Sequence, residues 1–158
     1  MATPAIAFGV HPNNWGDLAF RLILAALVGG AIGWNRETSG KAAGLRTHMM
    51  VSLGSALFVI VPLLVNSSPS EEAVSRAIQG IATGIGFIGA GEIVQQVRES
   101  GKPIIKGLTS AASTWVTAAL GIVAACGFWQ VSLIGTAIAL VILIGGKRLE
   151  HLADRREE

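Results

Sequence analysis

Residues 18–65 read LAFRLILAALVGGAIGWNRETSGKAAGLRTHMMVSLGSALFVIVPLLV, which is two apolar runs separated by a short charged loop. The runs cover about residues 18–34 and 48–65, and roughly 17 residues are enough to cross a hydrocarbon core of about 30 Å as a helix. Apolar and polar residues do not alternate strictly, and a helix satisfies its own backbone hydrogen bonds in lipid. This stretch therefore predicts a hairpin of two transmembrane helices.

Three further apolar runs follow, at about residues 77–97, 109–126 and 128–146. The whole chain of 158 residues is 51% hydrophobic and 14% charged, whereas soluble domains carry about 25% charged residues. We therefore expect an all-α integral membrane protein with five transmembrane helices. Residues 1–146 form its transmembrane domain, and residues 147–158 continue helix five as a charged cytoplasmic tail.

The distribution of basic residues predicts the orientation. The loops at 35–47 and 98–108, together with the tail, hold ten Lys and Arg residues, whereas the opposite side holds only Arg21 and Arg76. Cytoplasmic loops carry the excess of Lys and Arg in membrane proteins. The sequence thus places the N-terminus outside and the C-terminus in the cytoplasm, which agrees with an odd number of helices.

Two of the cytoplasmic loops resemble each other. Residues 36–47 read RETSGKAAGLRT and residues 98–110 read RESGKPIIKGLTS, and each segment lies between a Gly-rich helix and a returning helix. One interpretation is a parallel repeat, in which helices 1–2 and 3–4 are related by an axis along the membrane normal. The alternative is that basic loops following membrane helices look alike for topological reasons alone.

Three stretches carry a resemblance to a known family: AALVGGAIGWNRETSGKAAGLRTHMMVSLGSALF at 25–58, IATGIGFIGAGEI at 81–93 and KGLTSAASTWVTAALGIVAACG at 106–127. Together they resemble the membrane domain of the MgtC/SapB family, without the soluble C-terminal domain that many members carry. This resemblance implies a protein of the bacterial inner membrane that serves growth in low magnesium. Some members are called magnesium transporters, and others act by restraining other membrane proteins.

Two positions depart from the family's usual pattern. An acidic residue is usual where this chain has Asn35, and an aliphatic residue is usual where it has Glu92. One carboxylate is therefore missing from the first loop and another has been gained at the end of the third apolar run. We interpret Glu92 as a replacement for the lost carboxylate.

The third apolar run is rich in glycine, with small residues at a spacing of four. Its glycines are Gly80, Gly84, Gly86, Gly89 and Gly91. Small residues in lipid usually allow helices to pack closely. The alternative is a broken or widened helix that exposes carbonyl oxygens to an ion.

Glu92 is the strongest single candidate for a functional residue. A carboxylate within a membrane helix costs a few kcal/mol unless it is paired, protonated or hydrated. We expect its carboxylate to face the bundle, within about 4 Å of Arg36, Arg46 or a bound cation. The alternative is a side chain that reaches the interface.

A cluster of polar residues is expected where helix one ends and helix two begins: Arg36, Glu37, Arg46, Thr47 and His48. Glu37 is expected to pair with Arg46, and Thr47 or Thr109 to cap the helix that follows it. Because helix N-termini favour anions, binding of a phosphate or lipid headgroup by Arg46 stays open beside a purely structural role.

Several classes of function are excluded. No nucleophile–base arrangement, phosphate-binding loop or zinc signature occurs, so an enzyme is not expected. The basic residues lie in short patches between apolar runs, so nucleic acid is not an expected partner. No cofactor is expected, although Mg²⁺ could be a substrate or a ligand of Glu92 and Glu37, because Mg²⁺ prefers oxygen ligands.

Two hypotheses of function follow. In the first, the protein takes part in magnesium or cation homeostasis and conducts or exchanges a cation between two helical hairpins. In the second, it transports nothing and regulates another membrane protein, which its small-residue helix faces bind. The expected partners are the lipid bilayer, a second copy of the chain and another membrane protein.

Overall fold

The computed structural model describes residues 14–65, 71–97 and 103–154. Within these residues the chain forms five helices and a hairpin of two short strands. The elements in chain order are α1 (Trp15–Thr38), α2 (Leu45–Val65), α3 (Glu71–Glu92), β1 (Val94–Val97), β2 (Pro103–Lys106), α4 (Leu108–Ala125) and α5 (Trp129–Asp154). The all-helical class predicted from the apolar runs is confirmed, apart from the small hairpin.

Among the described residues, four helices are long and apolar enough to cross a membrane: α1, α2, α4 and α5. The chain is a multi-pass membrane protein. The prediction of five spanning helices is therefore supported for four, since α3 does not belong to this group. Helix α3 is less apolar because it begins with Glu71 and Glu72, carries Arg76 and is rich in glycine.

The third helix differs most from its predicted bounds. It begins at Glu71, six residues before the apolar run at 77–97, and ends at Glu92. Residues 94–97 instead pair in antiparallel register with residues 103–106. Both strands contain the branched residues Val or Ile, which favour extended backbone. The first five residues of the predicted loop at 98–108, residues 98–102, lie outside the described residues.

Three helices form the middle of the molecule. Helices α1, α2 and α4 pack against one another, while α3 lies against α4 and α2, and α5 against α4 and α1. The buried core consists of small and medium-sized side chains, including Ala25, Val28, Ile32, Ala56, Val59, Leu63, Ala118 and Ala124. Small residues let the three central backbones approach closely, as is usual for helices in lipid.

The closest approaches occur at glycines of α1 and α4. A Cβ atom added at Gly29 would lie 2.5 Å from the carbonyl oxygen of His48, and one at Gly33 would lie 2.7 Å from the Cα atom of Leu45. A Cβ atom at Gly121 would overlap the carbonyl oxygen of Ser52. Helix α2 is therefore held between α1 and α4 by contacts that only glycine permits.

Two buried arginines tie α1 to both ends of α4. Arg21 donates from Nη1 to the carbonyl oxygen of Ala125 at 2.8 Å, and Arg36 donates from Nη2 to the hydroxyl of Ser110 at 2.7 Å. Arg21 also pairs with Asp17 at 2.8 Å. Arg21 and Arg36 are fifteen positions apart, and so are their acceptors, Ala125 and Ser110. Because the earlier arginine bonds to the later acceptor, α1 and α4 lie side by side and antiparallel.

Candidate functional site

A buried polar cluster, which we call the polar centre, lies where α1, α2 and α4 meet the end of α3. Its residues are Arg36, His48, Ser52, Glu92, Ser110, Ser113 and Thr114. All but Glu92 and Ser110 are buried. Helices α1, α2 and α4 are otherwise largely apolar, so the hydrogen-bond partners that these side chains have within the described residues are one another and the backbone.

Arg36 stands at the end of α1 with only 4% of its surface exposed. Its Nη2 donates to Ser110 at the start of α4, but its Nε is buried without a hydrogen-bond partner. A guanidinium has five N–H donors and cannot accept, so this Nε can be satisfied only by an acceptor. The polar centre thus contains an arginine with a free donor.

His48 is fully buried in the first turns of α2. Its Nδ1 lies 2.9 Å from the carbonyl oxygen of Gly44, and its Nε2 lies 3.3 Å from the hydroxyl of Ser113. A carbonyl oxygen can only accept, so Nδ1 carries a proton. Ser113 donates its one hydroxyl proton to the carbonyl oxygen of Ser110 at 2.8 Å. In the neutral ring Nε2 therefore competes with that oxygen for the proton, and in the charged ring Nε2 donates to the Ser113 oxygen.

Glu92 is the last residue of α3, and its carboxylate is turned towards α4. Oε1 accepts a hydrogen bond from the Thr114 hydroxyl at 2.8 Å, whereas Oε2 is buried without a partner. Its charge acts on both Arg36 and His48. The expected contact within 4 Å of an arginine is wrong, because Glu92 forms no ion pair among the described residues. Thr114 is its direct partner instead.

Ser52 supplies a third unsatisfied atom. Its side chain is fully buried one turn after His48, beside Gly29 and Gly121, and its hydroxyl oxygen has no hydrogen-bond partner among the described residues. Buried polar atoms are nearly always hydrogen-bonded to protein or water, because an unmet group costs about 1–3 kcal/mol. Arg36, Ser52 and Glu92 each therefore present one buried polar atom that a water molecule or a small ligand could satisfy.

Glu37 has a different role from the one predicted. Its Oε2 accepts the backbone N–H of Leu45 at 2.8 Å, so this carboxylate caps the start of α2 and does not pair with Arg46. Such a cap satisfies one of the free N–H groups of the first turn and places a negative charge at the positive end of the helix.

Arg46 and Thr47 lie outside the polar centre. Both are exposed in the first turn of α2. The predicted caps were also wrong, because Thr47 and Thr109 are helical residues and α4 begins after Gly107, whose φ is +97°. Arg46 and Thr47 thus point away from the polar centre, although they directly precede His48 in the sequence.

The predicted close packing of the α3 glycines is found only at Gly89, whose added Cβ would lie 3.5 Å from the Cβ of Ala111. The remaining four meet nothing within 4 Å: Gly80, Gly84, Gly86 and Gly91. Close packing of these four is therefore not found within a single chain, and their packing against a second copy or another protein stays a prediction. Residues 71–92 also form a continuous α-helix, so the broken helix that was the alternative is not found.

Sequence reasoning missed the residues of the polar centre on α4 and Ser52 on α2. A signal was available, since Ser110, Ser113, Thr114 and Thr117 recur at three- and four-residue spacing in an apolar helix. That spacing places them on one face. The same holds for His48 and Ser52.

Chemically, the polar centre offers one carboxylate, one guanidinium and one imidazole, surrounded by hydroxyl groups. Among the described residues there is no group of three His, Cys, Asp or Glu side chains able to hold a metal ion. Glu37 and Glu92 each bind a different partner at the start of α2 and on α4. The arrangement therefore suits a proton, a water molecule or a hydrated ion better than a dehydrated metal.

Comparison with known proteins identifies relatives of most of the chain. Protein SrpB of Synechococcus elongatus is 49% identical over 151 residues, which are 92% of this chain and 83% of SrpB. YhiD of Escherichia coli K12 is 42% identical over 132 residues, or 80% of this chain and 59% of YhiD. MgtC of Brucella abortus is 36% identical over 120 residues, or 76% of this chain and 46% of MgtC.

The chain thus spans about half of the length of MgtC and somewhat more of YhiD. No solved structure matches it. The model of the MgtC family covers residues 22–152, which include the polar centre and all of α2, α3 and α4. With this coverage and these identities, the chain belongs to the MgtC family.

Proposed function

We propose that this protein serves magnesium or cation homeostasis in the bacterial inner membrane and handles a cation at the polar centre. The observation that carries the proposal is the buried Oε2 of Glu92, a carboxylate oxygen that has no hydrogen-bond partner among the described residues and lies next to Thr114 of α4. The relative YhiD is named as a candidate magnesium transporter, and this chain belongs to the same family.

The charge balance of the polar centre favours weak and reversible binding. A cation at Glu92 would gain the carboxylate oxygens of Glu92, with the hydroxyl of Thr114 beside them, but it would be repelled by the positive charge of Arg36. Conduction requires a site that ions enter and also leave. Mg²⁺ gives up its water reluctantly and is bound through few protein oxygens, so it would enter this site as a hydrated ion.

The duplicated hairpin remains part of the proposal, and one matching feature supports it. Helix α2 begins at Leu45 directly after Gly44, and α4 begins at Leu108 directly after Gly107. The polar centre lies between the two hairpins, where transporters built from repeats often place their sites.

For the topology, we propose that α3 also crosses the membrane, with the N-terminus outside and the C-terminus in the cytoplasm. Its 22 residues are long enough. A reporter enzyme that is active only in the cytoplasm should be active when fused after Glu158 and inactive when inserted at Ser68. Activity at both positions would reject the five-span arrangement.

The proposed activity predicts the result of a flux assay. Purified protein in liposomes should pass Mg²⁺ down a gradient, and Glu92→Gln should reduce the rate at least tenfold, because the amide cannot supply a negative charge. Glu71→Gln is the matched control, since Glu71 is exposed at the other end of the same helix. The rate of this control should equal that of the wild type.

The alternative function is regulation of another membrane protein, and the surface of α3 supports it. Ala82, Gly86 and Ala90 form an exposed small-residue face to which a second copy or another helix could bind. The assays separate the two functions. If liposomes that contain the wild-type protein pass no more cation than protein-free liposomes, conduction is rejected and regulation is the remaining function.

A further inference from the structure

An apolar groove of about 680 Å³ runs between α2 and α3. Residues that line it include Met50, Gly54 and Phe58 on α2, and Gly80, Gly84 and Ile88 on α3. We propose that this groove binds one acyl chain of an anionic phospholipid, whose phosphate is held by Arg46. This site is separate from the polar centre and does not depend on transport.

The groove exists because glycines stand where side chains would fill it. A Cβ atom added at Gly54, Gly80 or Gly84 would meet nothing within 4 Å. The residues at the edges are large and exposed, with Met50 at 67% and Phe58 at 69%. A narrow apolar trough between two helices, open to the side, suits a flexible hydrocarbon chain from the surrounding bilayer.

Arg46 stands at one end of this groove. Residues 46, 50, 54 and 58 follow one another at intervals of four, so they lie along one face of α2. Arg46 is exposed in the first turn of α2 and forms no ion pair with any described residue. The carboxylate of Glu37 is used by the backbone of Leu45. The arginine charge is therefore available to a ligand.

Charge complementarity selects the occupant. A phospholipid has a negative phosphate at one end of an apolar acyl chain. The groove likewise has the guanidinium of Arg46 at one end of an apolar surface. A peptide helix or a second copy would match the trough but would not require an anion at Arg46. Arginine binds phosphate through paired N–H donors, and basic residues at a membrane surface favour anionic lipids.

The test measures lipid contact in nanodiscs. Spin-labelled phosphatidylglycerol and phosphatidylcholine are each added to the full chain, and the immobilised fraction is measured. We expect a preference for phosphatidylglycerol of roughly fivefold, the equivalent of about 1 kcal/mol for one basic residue near an anionic surface. Arg46→Gln should remove this preference while immobilised phosphatidylcholine persists.

Variants within the groove test whether the groove binds the acyl chain of the lipid. Gly84→Leu should reduce the immobilised fraction of both lipids by half or more, and Gly54→Leu should do the same by filling the groove from the other helix. Gly91→Leu is the matched control, because Gly91 is on the same helix, meets nothing within 4 Å and does not line the groove. This control should bind lipid like the wild type.

Three results would overturn the proposal. The first is equal immobilisation of the two lipids by the wild type, and the second is an unchanged preference in Arg46→Gln. The third is a dimer in wild-type nanodiscs that Gly84→Leu dissociates, which would make a second copy the occupant. Circular dichroism of each variant checks that its helices are retained.

Discussion

We expect Gly121→Leu to lower the free energy of unfolding by about 3 kcal/mol, near the upper end of the usual cost of overpacking. The new side chain would begin where the carbonyl oxygen of Ser52 already lies, so α2 and α4 would have to separate. Helix α2 cannot move away freely, because Gly29 of α1 contacts His48 and Ser52 on it. The strain would therefore spread through all three central helices.

Unfolding of the purified protein in mixed micelles, followed by circular dichroism during a denaturant titration, measures this effect. Gly145→Leu is the control, since an added Cβ there meets nothing within 4 Å and the gain in helix propensity is the same. The control should unfold at or above the wild-type midpoint. A Gly121→Leu midpoint equal to that of the control would mean that α2 and α4 do not touch at Ser52.

The helices could be predicted where composition alone decides them. The apolar run at 109–126 becomes α4, Leu108–Ala125, because nothing within it competes with a helix in lipid. The end of the third run could not be predicted in the same way. Gln95 and Gln96 are polar within an apolar run, and their pairing with residues 104–105 decides between helix and strand. Such pairing depends on a partner that a sequence window does not contain.

The candidate site was predicted in part. The cost of a carboxylate in lipid singles out Glu92, and the junction of the first two helices predicts a cluster that includes Arg36, Arg46, Thr47 and His48. The structure brings Arg36, His48 and Glu92 to the start of α4, where they contact Ser110, Ser113 and Thr114. On a helix, however, adjacent residues point about 100° apart, so His48 turns inward while Arg46 and Thr47 stay exposed.

The contribution of α4 to the site could not be predicted from sequence proximity. Ser110, Ser113 and Thr114 are more than sixty residues from Arg36 and His48, and they meet them only because α4 packs against both α1 and α2. That neighbour relation follows from Gly29 and Gly121, which let the three backbones approach. The glycines singled out on α3 instead leave an open surface.

The second large effect is expected at Arg36. Arg36→Met should lower the free energy of unfolding by about 1.5–3 kcal/mol, the usual worth of a hydrogen bond to a charged group. The variant loses the 2.7 Å bond to Ser110 and leaves the buried carboxylate of Glu92 without its nearby positive charge. Methionine keeps a similar length and apolar character, so little of the loss would come from a cavity.

A double-mutant cycle then shows how much of this loss comes from Glu92. Glu92→Gln alone should cost little, because the amide oxygen can still accept the hydrogen bond from Thr114. In the Arg36→Met background, however, Glu92→Gln should raise the stability by 1 kcal/mol or more, by the rule that buried charge without a partner is costly. Thr38→Val, at an exposed threonine near Arg36, serves as a variant without coupling to Glu92. Strictly additive effects of Arg36→Met and Glu92→Gln would show that the two charges do not interact, and the polar centre would then be two separate sites.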